Sequence, residues 1–87
     1  MTYLIFAFRS RTQSIRFHGE LKRRGEVAAL INTPRDVSVG CGLSVKFDIS
    51  AYETAVSVLR LLELNTFLGA FRVTVTGQRR RIERIFF

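Results

Sequence analysis

The chain has 87 residues, with 14 Lys+Arg against 7 Asp+Glu and a formal net charge of +7. That length allows one small domain with a thin core. One Cys excludes an internal disulfide, and one Cys with one His excludes a four-ligand Cys/His zinc site within one chain. No apolar run approaches the ~20 residues of a membrane-spanning helix. Tyr3 to Phe8 is too short for a signal-peptide core and lacks a basic lead-in. The expected setting is the reducing cytoplasm, without membrane insertion.

Tyr3-Leu4-Ile5-Phe6-Ala7-Phe8 is a continuous apolar, β-rich run, the pattern of a central strand. Ser10 is a suitable N-cap for a helix to about Arg24, with Gly25 as its C′ residue. Ser14, Phe17, His18 and Leu21 share one face of it, with Ile15 beside them. Gly19 inside this helix suggests a close helix–sheet contact. Val27 to Ile31 reads as a second strand, ended by Asn32-Thr33-Pro34-Arg35-Asp36. Leu43 to Asp48 alternates apolar and polar residues as a half-buried third strand. Ser50-Ala51-Tyr52-Glu53 has capping-box spacing. The second helix is expected to reach about Leu64, with Tyr52, Ala55, Val56, Leu59 and Leu62 as its core face. Val58, Leu61 and Leu64 widen that face. Phe71, Val73 and Val75 alternate with Arg72, Thr74 and Thr76 as a fourth strand, before a Gly77-Gln78 turn.

The order is β-α-β-β-α-β with a tail. It predicts an α+β fold of ferredoxin-like topology: a four-stranded antiparallel sheet with two helices on one face. The expected domain is residues 1–77, followed by a basic and aromatic extension at 78–87. The extension reads equally as a short strand or a helical turn. Right-handed crossovers place the loop between strands 2 and 3 at the end of the sheet where helix 1 begins. Cys41 is therefore expected near Ser10, Arg11 and Thr12.

That thiol is the first candidate for chemistry. The thiolate is the reactive form, and a helix N-terminus or nearby Arg favours it. The expected neighbours are Arg9, Arg11 and Arg35, with Ser38 able to add a hydrogen bond. Gly40 and Gly42 leave the sulfur sterically open. The plain alternative is a small buried side chain without chemistry.

The stretch Thr33-Pro34-Arg35-Asp36-Val37-Ser38-Val39-Gly40-Cys41-Gly42-Leu43, preceded by Phe8-Arg9-Ser10 and a Gly-terminated helix, resembles a small family of selenium/sulfur carrier-like proteins. Pro34, Arg35, Ser38, Cys41 and Gly42 match its pattern position by position. The likeness is good over the first half, follows only in pattern through the second helix, and fails after Gly77. It implies a single-Cys carrier that accepts sulfur or selenium as a persulfide or selenosulfide and passes it on. Partners would then be a donor and an acceptor protein. In that reading Arg35 stabilises the anionic sulfur, and the lack of a second Cys protects the persulfide from discharge as a disulfide.

The basic surface carries a rival reading. Arg9, Arg11, Arg16, Lys22, Arg23 and Arg24 flank or line helix 1, and Arg79, Arg80, Arg81 and Arg84 lie in the extension. Arg over Lys favours phosphate recognition, so an RNA- or nucleic-acid-binding module is the alternative, a tRNA among its partners. Tyr3, Phe6, Phe8 and Phe71 either stack bases or build the core. A third reading is a structural interaction domain with an inert Cys41. Ile82, Ile85, Phe86 and Phe87 dock on the sheet or pair with a neighbour's edge, the latter giving a homodimer. His18 reads as a satisfied, partly buried His. No catalytic triad, phosphate loop or paired-carboxylate spacing stands out. The sequence implies no cofactor and no metal, and a carrier or binding protein rather than a stand-alone enzyme.

Overall fold

The computed structural model describes residues 1–35, 37 and 42–87. Its elements are β1 (Thr2–Phe8), α1 (Arg11–Arg23), β2 (Ala28–Asn32), β3 (Leu43–Asp48), α2 (Tyr52–Leu62), β4 (Phe67–Thr76) and β5 (Arg79–Ile85). The strands form one sheet in the order β2-β3-β1-β4-β5, with every neighbouring pair antiparallel. The class is α+β, but the expected four-stranded ferredoxin-like sheet is corrected to five strands. Gly77, at φ 60°, supplies the left-handed turn residue that a tight hairpin needs. The basic run after it pairs along β4 from Thr76↔Arg79 to Ala70↔Ile85.

β1 lies in the middle of the sheet, and Leu4 to Phe8 are all buried. Leu4, Phe6 and Phe8 face the helices and join Phe17, Leu21, Val45, Phe47, Ala55 and Val58 in the core. The Phe6 ring is the hub. It stacks on Phe17 at 5.5 Å and meets Phe47 at 5.1 Å, Phe67 at 5.4 Å and Phe87 at 5.7 Å between centroids. Such aromatic pairs add stabilisation beyond the area they bury.

Local signals behave as their chemistry dictates at both ends of α1. The Ser10 side chain accepts from Gln13 N–H. At the other end Gly25, at φ 85°, donates to the Lys22 carbonyl at 3.0 Å, and Glu26 N–H reaches Leu21 O at 3.0 Å. That pair of bonds is a Schellman closure. His18 Nε2 donates to the Ala28 carbonyl at 3.0 Å, a satisfied and partly buried ring.

Several local expectations are corrected. Ile15 is 52% exposed and outside the core face. Gly19 is exposed, and a Cβ there would meet nothing within 4 Å, so it makes no close helix–sheet contact. Val27 is 89% exposed and precedes β2, which reaches Asn32 instead. β4 begins at Phe67 rather than Phe71. Helix α2 stops at Leu62 because Glu63 takes a left-handed conformation, and Leu61 is exposed. The Ser50–Glu53 capping box does not form. Asp48 accepts from Ser50 N–H at 2.9 Å instead, starting a 3-10 turn at Ile49–Ala51 that leads into α2.

The Ser50 backbone N–H, and then its hydroxyl, hold the Asp48 carboxyl below its usual value. The folded pKa is depressed, so this contribution is present above the unfolded value of ~3.9. It is lost as pH falls through the lowered folded value.

Two substitutions check this picture. Phe6→Ala should cost about 3–5 kcal/mol, a large fraction of a small domain's stability, read as a lowered urea midpoint. Gly19→Ala should raise that midpoint by about 0.5–1 kcal/mol equivalent, since the helix gains propensity without a clash. A destabilised Gly19→Ala protein would contradict the open surroundings of that position.

Candidate functional site

The candidate site lies where β1 passes into α1 and β2 passes toward β3. Registers fix this end of the sheet: Phe8 pairs with Leu43, and Asn32 pairs with Leu43 from the other side. Thr33 N–H donates to the Gly42 carbonyl at 3.0 Å, closing the base of the 34–41 connection. The buried Thr33 and Ser44 hydroxyls share a 2.7 Å hydrogen bond beneath it. Ser14 on α1 donates its hydroxyl to the Leu43 carbonyl at 2.7 Å, which ties the first turns of the helix to the start of β3.

Of the expected site residues, Ser38 and Cys41 lie outside the described residues, as do Asp36, Val39 and Gly40. The others can be placed. Pro34 is half-buried, and its carbonyl accepts Val37 N–H at 3.0 Å, so Arg35 occupies an exposed turn. Arg9 is exposed, with its backbone N–H held by Thr66 O at 2.9 Å. Ser10 caps α1, and Arg11 is exposed in its first turn. Among the described residues no carboxylate pairs with Arg9, Arg11 or Arg35; the ion pairs there use Arg23, Arg24, Arg72 and Arg81. The end of the sheet that holds Gly42 also holds the positive end of α1, with the exposed residues Arg9 and Arg11 at its start.

Gly42 is required by crowding. A Cβ on it would stand 2.9 Å from the Phe8 carbonyl oxygen and 3.2 Å from Thr33 Oγ1. The glycine that follows the thiol in the sequence thus lets β3 start hard against β1.

Sequence reasoning missed the clip that holds the α1 N-terminus. Ser10 and Gln13 have capping-box spacing, but Gln13 does not reach back to Ser10. Its Oε1 accepts from the Thr66 backbone N–H at 2.9 Å and the Thr66 hydroxyl at 2.6 Å. Thr66 Oγ1 in turn accepts Ser10 N–H at 3.3 Å, and Gln13 Nε2 donates to Asn65 Oδ1 at 2.7 Å. The Ser-x-x-Gln spacing was the available signal; nothing local showed that the α2–β4 loop would complete it.

The motif that carried the sequence resemblance is thus divided, with its Pro, Arg and Gly in place around one end of the sheet. A family comparison adds to it. Residues 3–66 match the family described as "Putative Se/S carrier protein-like". The chain belongs to this family. The match spans β1 through α2 and ends on Thr66, the residue that completes the α1 clip; β4 and β5 lie beyond it. No curated protein and no solved structure matches the chain.

Other features of the carrier-like chain lie elsewhere. A groove of about 600 Å³, lined by Leu4, Tyr52, Arg72, Glu83 and Ile85 among others, opens toward the start of β1, away from Gly42. Among the described residues no cluster of His, Cys, Asp and Glu could hold a metal ion, and no helix is long and apolar enough to cross a membrane.

Gly42→Ala should destabilise the fold by about 1–3 kcal/mol through the clash with Phe8 O and Thr33. Urea unfolding reads this directly, and a neutral result would mean that β3 does not start against β1 as described.

Proposed function

We propose that the chain is a thiol carrier in which Cys41 accepts sulfur or selenium from a donor and hands it to an acceptor. Membership of the carrier-like family is the observation that carries this reading. The surroundings of Gly42 support it in chemical terms. An anionic sulfur species at this end of the fold would meet the positive end of α1 and the exposed residues Arg9 and Arg11. Arg35, exposed on its turn, is the assigned stabiliser.

The transfer needs no external oxidant. The Cys41 thiolate attacks the outer sulfur of a donor persulfide, R–S–SH. A new S–S bond forms at Cys41, the donor S–S bond breaks, and its electron pair leaves on the donor thiolate. A donor selenosulfide, R–S–SeH, reacts in the same way at selenium. Delivery repeats the step with an acceptor nucleophile and returns the Cys41 thiolate. The sequence holds one Cys, so no second thiol in the same chain can intercept the persulfide. The donor and acceptor are proteins that dock on this end of the fold, and the chemistry suits a reducing cytoplasm.

The test is intact-mass analysis after exposure to glutathione persulfide. A single added sulfur atom is expected on the native chain, reversed by dithiothreitol and absent from Cys41→Ala. The alkylation rate of Cys41 should also level off below the pH of ~8.5 expected for a free thiol. Arg35→Ala should move that plateau upward. An unmodified native chain, or a profile of an ordinary thiol, would overturn the reading.

A further inference from the structure

The sheet has a second face, opposite the helices, that the carrier reading does not use. Strand alternation places Tyr3, Ile5 and Ala7 of β1 on it, with Ser44 and Lys46 of β3 and Phe71 and Val73 of β4. Its floor is apolar and close-packed: Ile5 is 1%, Val73 0% and Phe71 8% exposed. Long cations lie over its rings. Lys46 Nζ stands 4.2 Å above the Tyr3 centroid. The Arg84 guanidinium carbon is 5.8 Å from the Phe71 centroid and 5.4 Å from that of Phe86, which itself is 81% exposed.

Arg84 is held in that layer by the backbone beneath it. Its Nη2 donates to the Leu68 carbonyl at 3.0 Å. A Cβ on Gly69 would stand 3.2 Å from that same nitrogen, so the glycine makes the space that the guanidinium occupies. The result is a Phe71–Arg84–Phe86 layer with one outer aromatic surface facing solvent.

The charge of this face is mainly positive. By register, Lys46, Arg80 and Arg84 fall on it. Of the two acidic strand residues, Glu83 is on the helix side and pairs with Arg72 at 3.5 Å. Asp48, opposite Tyr3, lies at the rim of this face, where its carboxylate accepts from Ser50 N–H. One exposed ring for stacking, beside fixed cations over an apolar floor, matches the surface that an unstacked nucleotide needs.

We propose that this face binds a single-stranded polynucleotide, with a base stacked on Phe86 and the backbone phosphates met by Lys46 and Arg84. A duplex keeps its bases internal and could use only the charges. An acidic peptide would likewise leave the exposed ring of Phe86 unused.

Fluorescence anisotropy with a short labelled oligouridylate, titrated at several salt concentrations, tests this. Binding should weaken with salt, and Lys46→Gln should reduce the slope by about one phosphate contact. Phe86→Ala removes an exposed ring and should weaken binding by about five- to thirty-fold without lowering the melting temperature. Arg84→Lys should weaken binding at an unchanged salt slope, because charge is kept and the planar stack is lost. Arg23→Ala, outside this face, should leave affinity within about twofold, the scale of a rim charge. Cys41→Ser should bind as the native chain does, which separates this proposal from the carrier reading. Absence of binding at low salt, equal binding of a duplex, displacement by polyglutamate at matched charge, or an unaffected Phe86→Ala variant would each overturn it.

Discussion

The Phe6 ring is the contact on which the rest of the molecule depends. It touches rings from α1, β3, β4 and the C-terminal residue Phe87. Each layer of the fold is therefore registered against one side chain of the central strand. The two strands that flank β1 hold it on both edges, and its alternate residues are buried on both faces. A strand so enclosed cannot slip by one residue without exchanging Phe6 and Phe8 for Ile5 and Ala7. That constraint fixes where β1 ends, and with it where α1 begins and where β3 starts.

The candidate site is built from those three termini. Ser14 reaches Leu43, Thr33 reaches Gly42 and Ser44, and the Gln13–Thr66 clip holds the helix start. Short hydroxyl and amide side chains do this work at close range, while the guanidinium groups stand outside it. The arrangement separates support from charge. The polar groups that shape the end of the sheet are satisfied by one another.

Much of the fold was legible in the sequence, for identifiable reasons. The apolar run at Tyr3–Phe8, the Ser10 cap and the Gly25 closure are local signals, and local physics decides them. The fifth strand was not legible, because Ile82-Glu83-Arg84-Ile85 satisfies both a strand and a helical turn until β4 offers it an edge. The capping box at Ser50 failed for a related reason: Asp48, two residues earlier, competes for the same N–H. At the site, chain topology correctly brought the start of β3 to the start of α1. Pro34, Arg35 and Gly42 could be read from the sequence by resemblance. The packing reason for Gly42 could not, since it needs the Phe8 carbonyl as a neighbour. The role of Thr66 was not legible, because its partners lie more than fifty positions away in the chain.

The placement of β1 also bears on how the molecule is made. Its run of six apolar residues leaves the ribosome before its partners β3 and β4, whose registers begin at Leu43 and Phe67. Synthesis must pass β4 before both edges of β1 are closed. Non-local pairing of this kind is slow and leaves an adhesive segment uncovered in the meantime. Arg9 and Arg11 stand immediately after that segment. Charges that flank an apolar strand oppose its pairing with other copies while it is still uncovered.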